Sequence, residues 1–156
     1  MNFLDDPNQP IEIKMALINR LGWNLKGKNN ASLFIRYIQK KGLYTTELEL
    51  KDKCTSHELL CIAYLKAMDN YFDVKKALVY SKLAVAIEPK SYTVQLINAL
   101  ITAQTFSYND WCRIYEVVEN IRIDKSLTID FNANATTIIL EYINIYKKYC
   151  SNPNQI

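Results

Sequence analysis

One helix face, and the proline behind it, restrict this chain most. Ala77, Tyr80, Ala84 and Ile87 recur at spacings of three and four, so a helix aligns them as one stripe. Pro89 removes a backbone donor and biases Glu88 away from helical dihedrals, which ends that helix. Small residues on the stripe let a second helix approach closely, and the proline turns the chain toward it. Three glycines and four prolines in 156 residues are too few for the tight turns of an all-β fold. The expectation is an all-α fold of antiparallel helical hairpins.

The same periodicity predicts about seven helices in a single domain, 1–156, with 1–9 and 151–156 as loose ends. The first runs from Pro10 to Leu21, its face carrying Ile11, Met15 and Ile18, with Gly22 placed for a left-handed end. The second, Ala31 to Lys41, turns Phe34, Tyr37 and Ile38 inward and stops at Gly42. The alternation of "YTTELELK", 44–51, would suit a strand, but a lone strand has no partner, so it reads as loop plus a helical turn. Thr55 and Glu58 have capping-box spacing and open a third helix through Met68. Asp73 is placed to cap a fourth, which ends at Ile87. Helices from Tyr92 to Gln104, Asn109 to Asn120 and Ala133 to Tyr149 complete the count.

A hydrophobic share of 49% supplies a core, and a chain of this length needs no metal or disulfide to hold it. Cys54, Cys61, Cys112 and Cys150 show no paired spacing and read as reduced residues of a cytoplasmic protein. The acidic start "MNFLDDPNQP" is unlike a secretory leader. Ser91 to Asn109 carries no formal charge, but its glutamines, asparagines and hydroxyls argue for a buried helix and against a membrane span.

The stretch "ALVYSKLAVAIEPKS" resembles the second helix of a tetratricopeptide repeat, a helical hairpin of about 34 residues. Ala77, Tyr80, Ala84, Glu88 and Pro89 carry the likeness. In the preceding helix Ala63 stands at the close-packing point, while the family's tryptophan and glycine are missing; late in the second helix Ser81 replaces the expected aromatic. The resemblance covers 58–91. A degenerate second unit, 92–126, places Tyr108 and Trp111 where Val74 and Ala77 stood, so a large residue replaces a small one. Residues 10–42 form a hairpin of similar size without the signature. An unrelated bundle with a proline after its fourth helix would share the all-α class.

What the resemblance implies is a concave groove that holds a peptide or partner protein, with His57, Tyr64 and Gln95 as candidate contributors. An adaptor, a chaperone or a toxin-immunity protein would work this way. No cofactor is expected, because three isolated glycines cannot build a phosphate cradle. His57 is the only histidine, which argues against a zinc site and against histidine catalysis. The expectation is a non-enzymatic protein.

The alternative partner is nucleic acid, or an acidic protein surface, at residues 13–46. That segment holds Lys14, Arg20, Lys26, Lys28, Arg36, Lys40 and Lys41 and no acid, with Trp23, Phe34, Tyr37 and Tyr44 interleaved. Arg36, Lys40 and Lys41 could share one helix surface. Tyr142, Tyr146 and Tyr149 line one face of the last predicted helix, which suits a partner groove or a homodimer.

Overall fold

The computed structural model describes residues 1–25, 27–42, 44–107 and 109–150. The charge of Lys26, the repeat alignment at Tyr108 and the expected loose end at 151–156 lie outside the described residues. Among the described residues nine α-helices follow one another: α1 (Asn2–Asp5), α2 (Ile11–Arg20), α3 (Asn30–Lys40), α4 (Glu47–Lys53), α5 (Ser56–Asp69), α6 (Lys75–Ile87), α7 (Tyr92–Ala103), α8 (Trp111–Ile123) and α9 (Ala133–Asn144). A 3-10 turn, Lys147–Cys150, comes after α9. No strand occurs among the described residues, only an isolated parallel bridge between Ser91 and Thr128.

Local chemistry explains most boundaries. Thr55 and Glu58 close a full capping box at the start of α5, as their spacing predicts. Gly22 and Gly42 take positive φ just beyond α2 and α3, where an L side chain would be strained. Four expectations need correction. Residues 44–51 are not merely loop and turn: Thr46 and Glu49 form a second capping box that drives α4. Asp73 does not cap α6, because the N-cap position falls on Val74, which has no side-chain acceptor. Residues 1–9 are not wholly loose, since α1 buries Leu4 and Asp5 pairs with Lys41. The last helix ends at Asn144, which leaves Tyr146 and Tyr149 beyond it.

Helix α5 is the centre. It is apolar nearly all round, with Leu59 to Leu65 entirely buried, and a helix of that kind must be covered on every side. It packs against α1, α2, α3, α6 and α7. On α6, Ala77, Tyr80 and Ala84 are fully buried, so the small residues do permit the close α5–α6 contact; Ile87, at the helix end, is exposed. Helices α6, α7 and α8 then pack in succession.

The chain does not simply run on in one direction. Helix α9 returns to α2, where the Asn19 side-chain amide donates to the Ile138 carbonyl at 2.9 Å and that of Asn132 donates to Glu12 at 3.1 Å. The segment before α9 is pinned to α7. The Tyr92 N–H donates to the Thr128 carbonyl at 3.1 Å, and the Thr93 N–H donates to the Asp130 carboxylate at 2.8 Å. This return brings Cys150 to the start of α8, where it forms a disulfide with Cys112. The expectation of four reduced cysteines is therefore wrong, and the cysteine argument for the cytoplasm goes with it. Cys54 and Cys61 are free and buried. No helix of the described residues is long and apolar enough to cross a membrane.

Candidate functional site: an aromatic cleft between the first and last long helices

Where α9 crosses toward α2 it leaves a cleft of about 270 Å³. Its floor is Tyr64 of α5 with Leu100 and Ala103 of α7; its sides are Asn19 of α2, Ile114 of α8, and Ile139, Tyr142 and Ile143 of α9. Trp23 and Tyr71, from the turns after α2 and α5, form one edge. Their rings stack at 4.5 Å, and Trp23 meets Tyr142 edge-on at 4.7 Å. Both turns are held by backbone bonds, the Asn24 N–H to the Met68 carbonyl at 2.9 Å and the Tyr71 N–H to the Asn24 carbonyl at 3.2 Å. The aromatic edge is thus built on fixed backbone.

Two amides face this apolar space, and they differ. Asn19 is satisfied on both atoms: it accepts from the Tyr64 hydroxyl at 2.6 Å and donates to Ile138. Burial pushes the Tyr64 phenol up, which keeps it a protonated donor. Gln104, just past α7, has a buried carbonyl oxygen, Oε1, with no hydrogen-bond partner. An unmet buried acceptor costs about 1–3 kcal/mol. Oε1 is closed to solvent in this conformation, so a ligand that turns the Gln104 amide toward the hollows and donates to it gains more than contact area.

The cleft continues. A second hollow of about 190 Å³ shares Tyr71, Ala103, Gln104 and Ile114 with the first and adds Phe72, Phe106 and Trp111. Gln104 and Tyr71 thus stand at the junction of two apolar depressions. Neither a protein-family model, nor a curated protein, nor a solved structure matches the chain.

The residues singled out from the sequence divide between sites. Tyr64 and Tyr142 reach the cleft. Tyr146 is 6% exposed and stacks on Trp111 at 5.0 Å, with its hydroxyl bonded to that of Tyr142, while Tyr149 lies 6.0 Å from Trp111. The three tyrosines do not form one free stripe: the middle one is used inside the chain. Gln95 turns back to the Pro89 carbonyl at 2.9 Å and stays away from the cleft. His57 sits at the far end of α5, 3.9 Å from Glu88, and lines a separate polar cavity with Lys41. His57, Tyr64 and Gln95 therefore share no groove.

The basic segment is also broken up. Arg36 and Lys40 are exposed on α3, but Lys41 pairs with Asp5 and lies 5.2 Å from the Tyr37 ring. Lys14 is buried, as are Phe34 and Tyr44, so those two rings cannot stack on a base. Sequence reasoning missed Tyr71 and Gln104 and gave Trp23 only as an aromatic of the basic segment; each lies in a connector or at a helix end. The available signal was the presence of large aromatics in short polar turns.

Proposed function

We propose that this protein is a non-enzymatic interaction module that grips a segment of a partner protein by an aromatic anchor residue. The observation that carries this reading is the partnerless Gln104 carbonyl oxygen at the junction of the two hollows. A tryptophan or tyrosine side chain brings a flat apolar body for the Trp23, Tyr71 and Tyr142 rings. It also brings one N–H or O–H donor for Gln104. Two adjoining hollows suit consecutive anchors of a peptide better than one compact metabolite, and each is smaller than the usual small-molecule pocket of roughly 300–1,000 Å³.

Helix order supports a tetratricopeptide-like version of this reading. Helices α5 with α6 and α7 with α8 act as successive hairpins, with α5 against α7. In such a stack α5 and α7 are the first helices of their pairs. Helix α2 packs on α5, α7 and α9 rather than against α3, so residues 10–42 are not the hairpin their size suggests, and the cleft takes a wall from α2, α5 and α7. Helix α9 covers part of that surface and narrows the groove to its aromatic end. The non-enzymatic reading gains support from the thiols, since burial pushes Cys54 and Cys61 each up to about 12, well away from a reactive thiolate.

Selection from a displayed peptide library tests the proposal. Enriched sequences should share a tryptophan or tyrosine, and Gln104→Leu should weaken them roughly tenfold or more by removing the acceptor. Enrichment of charged sequences without an aromatic, or binding untouched by Gln104→Leu, would overturn it.

A further inference from the structure

Lys14 is the anomaly of the fold. It lies on the buried side of α2 among Ile11, Met15 and Ile18 and is 2% exposed. None of the ion pairs of the described residues includes its ammonium, and no described acceptor bonds it. A buried, unmatched cation opposes folding, and an apolar side chain in its place would be better tolerated. Its place is nevertheless specific, because Lys14 lines the polar cavity of about 540 Å³ at the start of α5.

The other charged groups of that cavity narrow the ligand. Asp5 is taken by Lys41. Glu58 accepts from the Tyr44 hydroxyl at 3.0 Å and the Thr55 N–H at 2.8 Å. Among the described residues Glu88, 41% exposed, pairs only with His57, whose imidazole burial holds below its ordinary value of 6.5, so at neutral pH Glu88 faces an uncharged ring and water. Three carboxylates against two lysines leave the wall net negative, which disfavours a free inorganic anion. A ligand that carries both an anionic group for Lys14 and a cationic group for Glu88 pairs the buried lysine and uses the half-exposed carboxylate at the cavity mouth.

We propose that this cavity binds a small zwitterion of the free amino-acid type. Its carboxylate pairs with the Lys14 ammonium, and its own ammonium faces Glu88. The site is separate from the aromatic cleft, so either reading can fail without the other.

His57 is the only histidine of the chain and lines this cavity, so its imidazole NMR signals report binding directly. The intact protein is titrated at neutral pH with L-alanine and, in parallel, with acetate, methylammonium and inorganic phosphate. L-Alanine should shift the His57 signals saturably. Lys14→Met should weaken that binding roughly tenfold to a hundredfold, as loss of a charged hydrogen bond does. Glu88→Gln should weaken L-alanine while leaving acetate unchanged. Lys14→Gln, which keeps a polar side chain, serves as the second variant should the methionine chain not fold. A His57 signal unmoved by L-alanine, equal binding by the Lys14 variants, or acetate or phosphate binding as tightly as L-alanine would each overturn the proposal.

Discussion

The Asp69 carboxylate accepts the backbone N–H of Ala31 at 2.8 Å, so the last residue of α5 caps the first turn of α3. Its other oxygen takes the Asn30 side-chain amide, also at 2.8 Å. A single buried acid thus fixes where α3 starts relative to the central helix. No residue before α3 supplies a side-chain cap, which is why the function falls to one 38 positions away in sequence.

Asp69→Ala should therefore cost more than an exposed cap. Loss of an N-cap acceptor costs about 0.5–2 kcal/mol, and the unmet buried Ala31 N–H raises this toward about 3 kcal/mol. Urea denaturation reads the change directly. A loss under about 0.5 kcal/mol would mean that the cap does not hold α3.

Ala77 and Ala84 are fully buried where α6 packs on α5. Leucine at either position should overpack it and destabilise the chain by about 1–3 kcal/mol, whereas leucine at exposed Ala86 should be nearly neutral. Thermal melts of the three variants test the contrast.

The Cys112–Cys150 bridge closes a span of 38 residues. Chain-entropy reasoning assigns such a loop about 2–4 kcal/mol, or a fall in Tm on the order of 10 °C when it is removed. Cys112→Ser should reproduce the effect of reduction. In the oxidised folded protein Cys54 and Cys61 should resist thiol reagents, because both are buried and their thiols are pushed up to about 12. Rapid labelling of either thiol without unfolding would contradict this packing.

Burial lowers the His57 pKa below 6.5 more than Glu88 raises it. The unfolded chain then takes up the proton first, so the stability linked to His57 is present above about pH 6.5 and is lost as the pH falls toward the folded value. His57→Gln should flatten that part of the stability profile. Glu88→Gln should move the imidazole titration lower still. An imidazole pKa at or above 6.5 in an NMR titration would reverse the sign.

What could be read from the sequence was local. Thr55 with Glu58, Gly22 and Gly42 beyond their helices, and the Ala77–Tyr80–Ala84 stripe each obey a rule that spans at most a few turns. The Thr46–Glu49 box obeys the same rule but was masked by a period-two alternation of leucines and acids. The cleft obeys no such rule: Asn19, Tyr64, Gln104 and Tyr142 meet only because α9 returns to α2, and nothing in their spacing says so. Lys14 shows the opposite failure, because counting charge along the chain placed on the surface a lysine whose helical phase put it inside. The Cys112–Cys150 bond likewise depends on that return, and thiols 38 apart carry no motif.

The contacts of α9 with α2 join residues more than a hundred positions apart, with separations of 119 for Asn19–Ile138 and 120 for Glu12–Asn132. A chain leaving the ribosome can assemble α5 to α8 from near neighbours, but it must leave the α2 face bare until residue 140 or so has emerged. Pairing at that range is slow to close, so the aromatic cleft should be the last part of the molecule to be born. Until then the newborn protein leaves the α9-facing side of α2 uncovered and has no closed cleft.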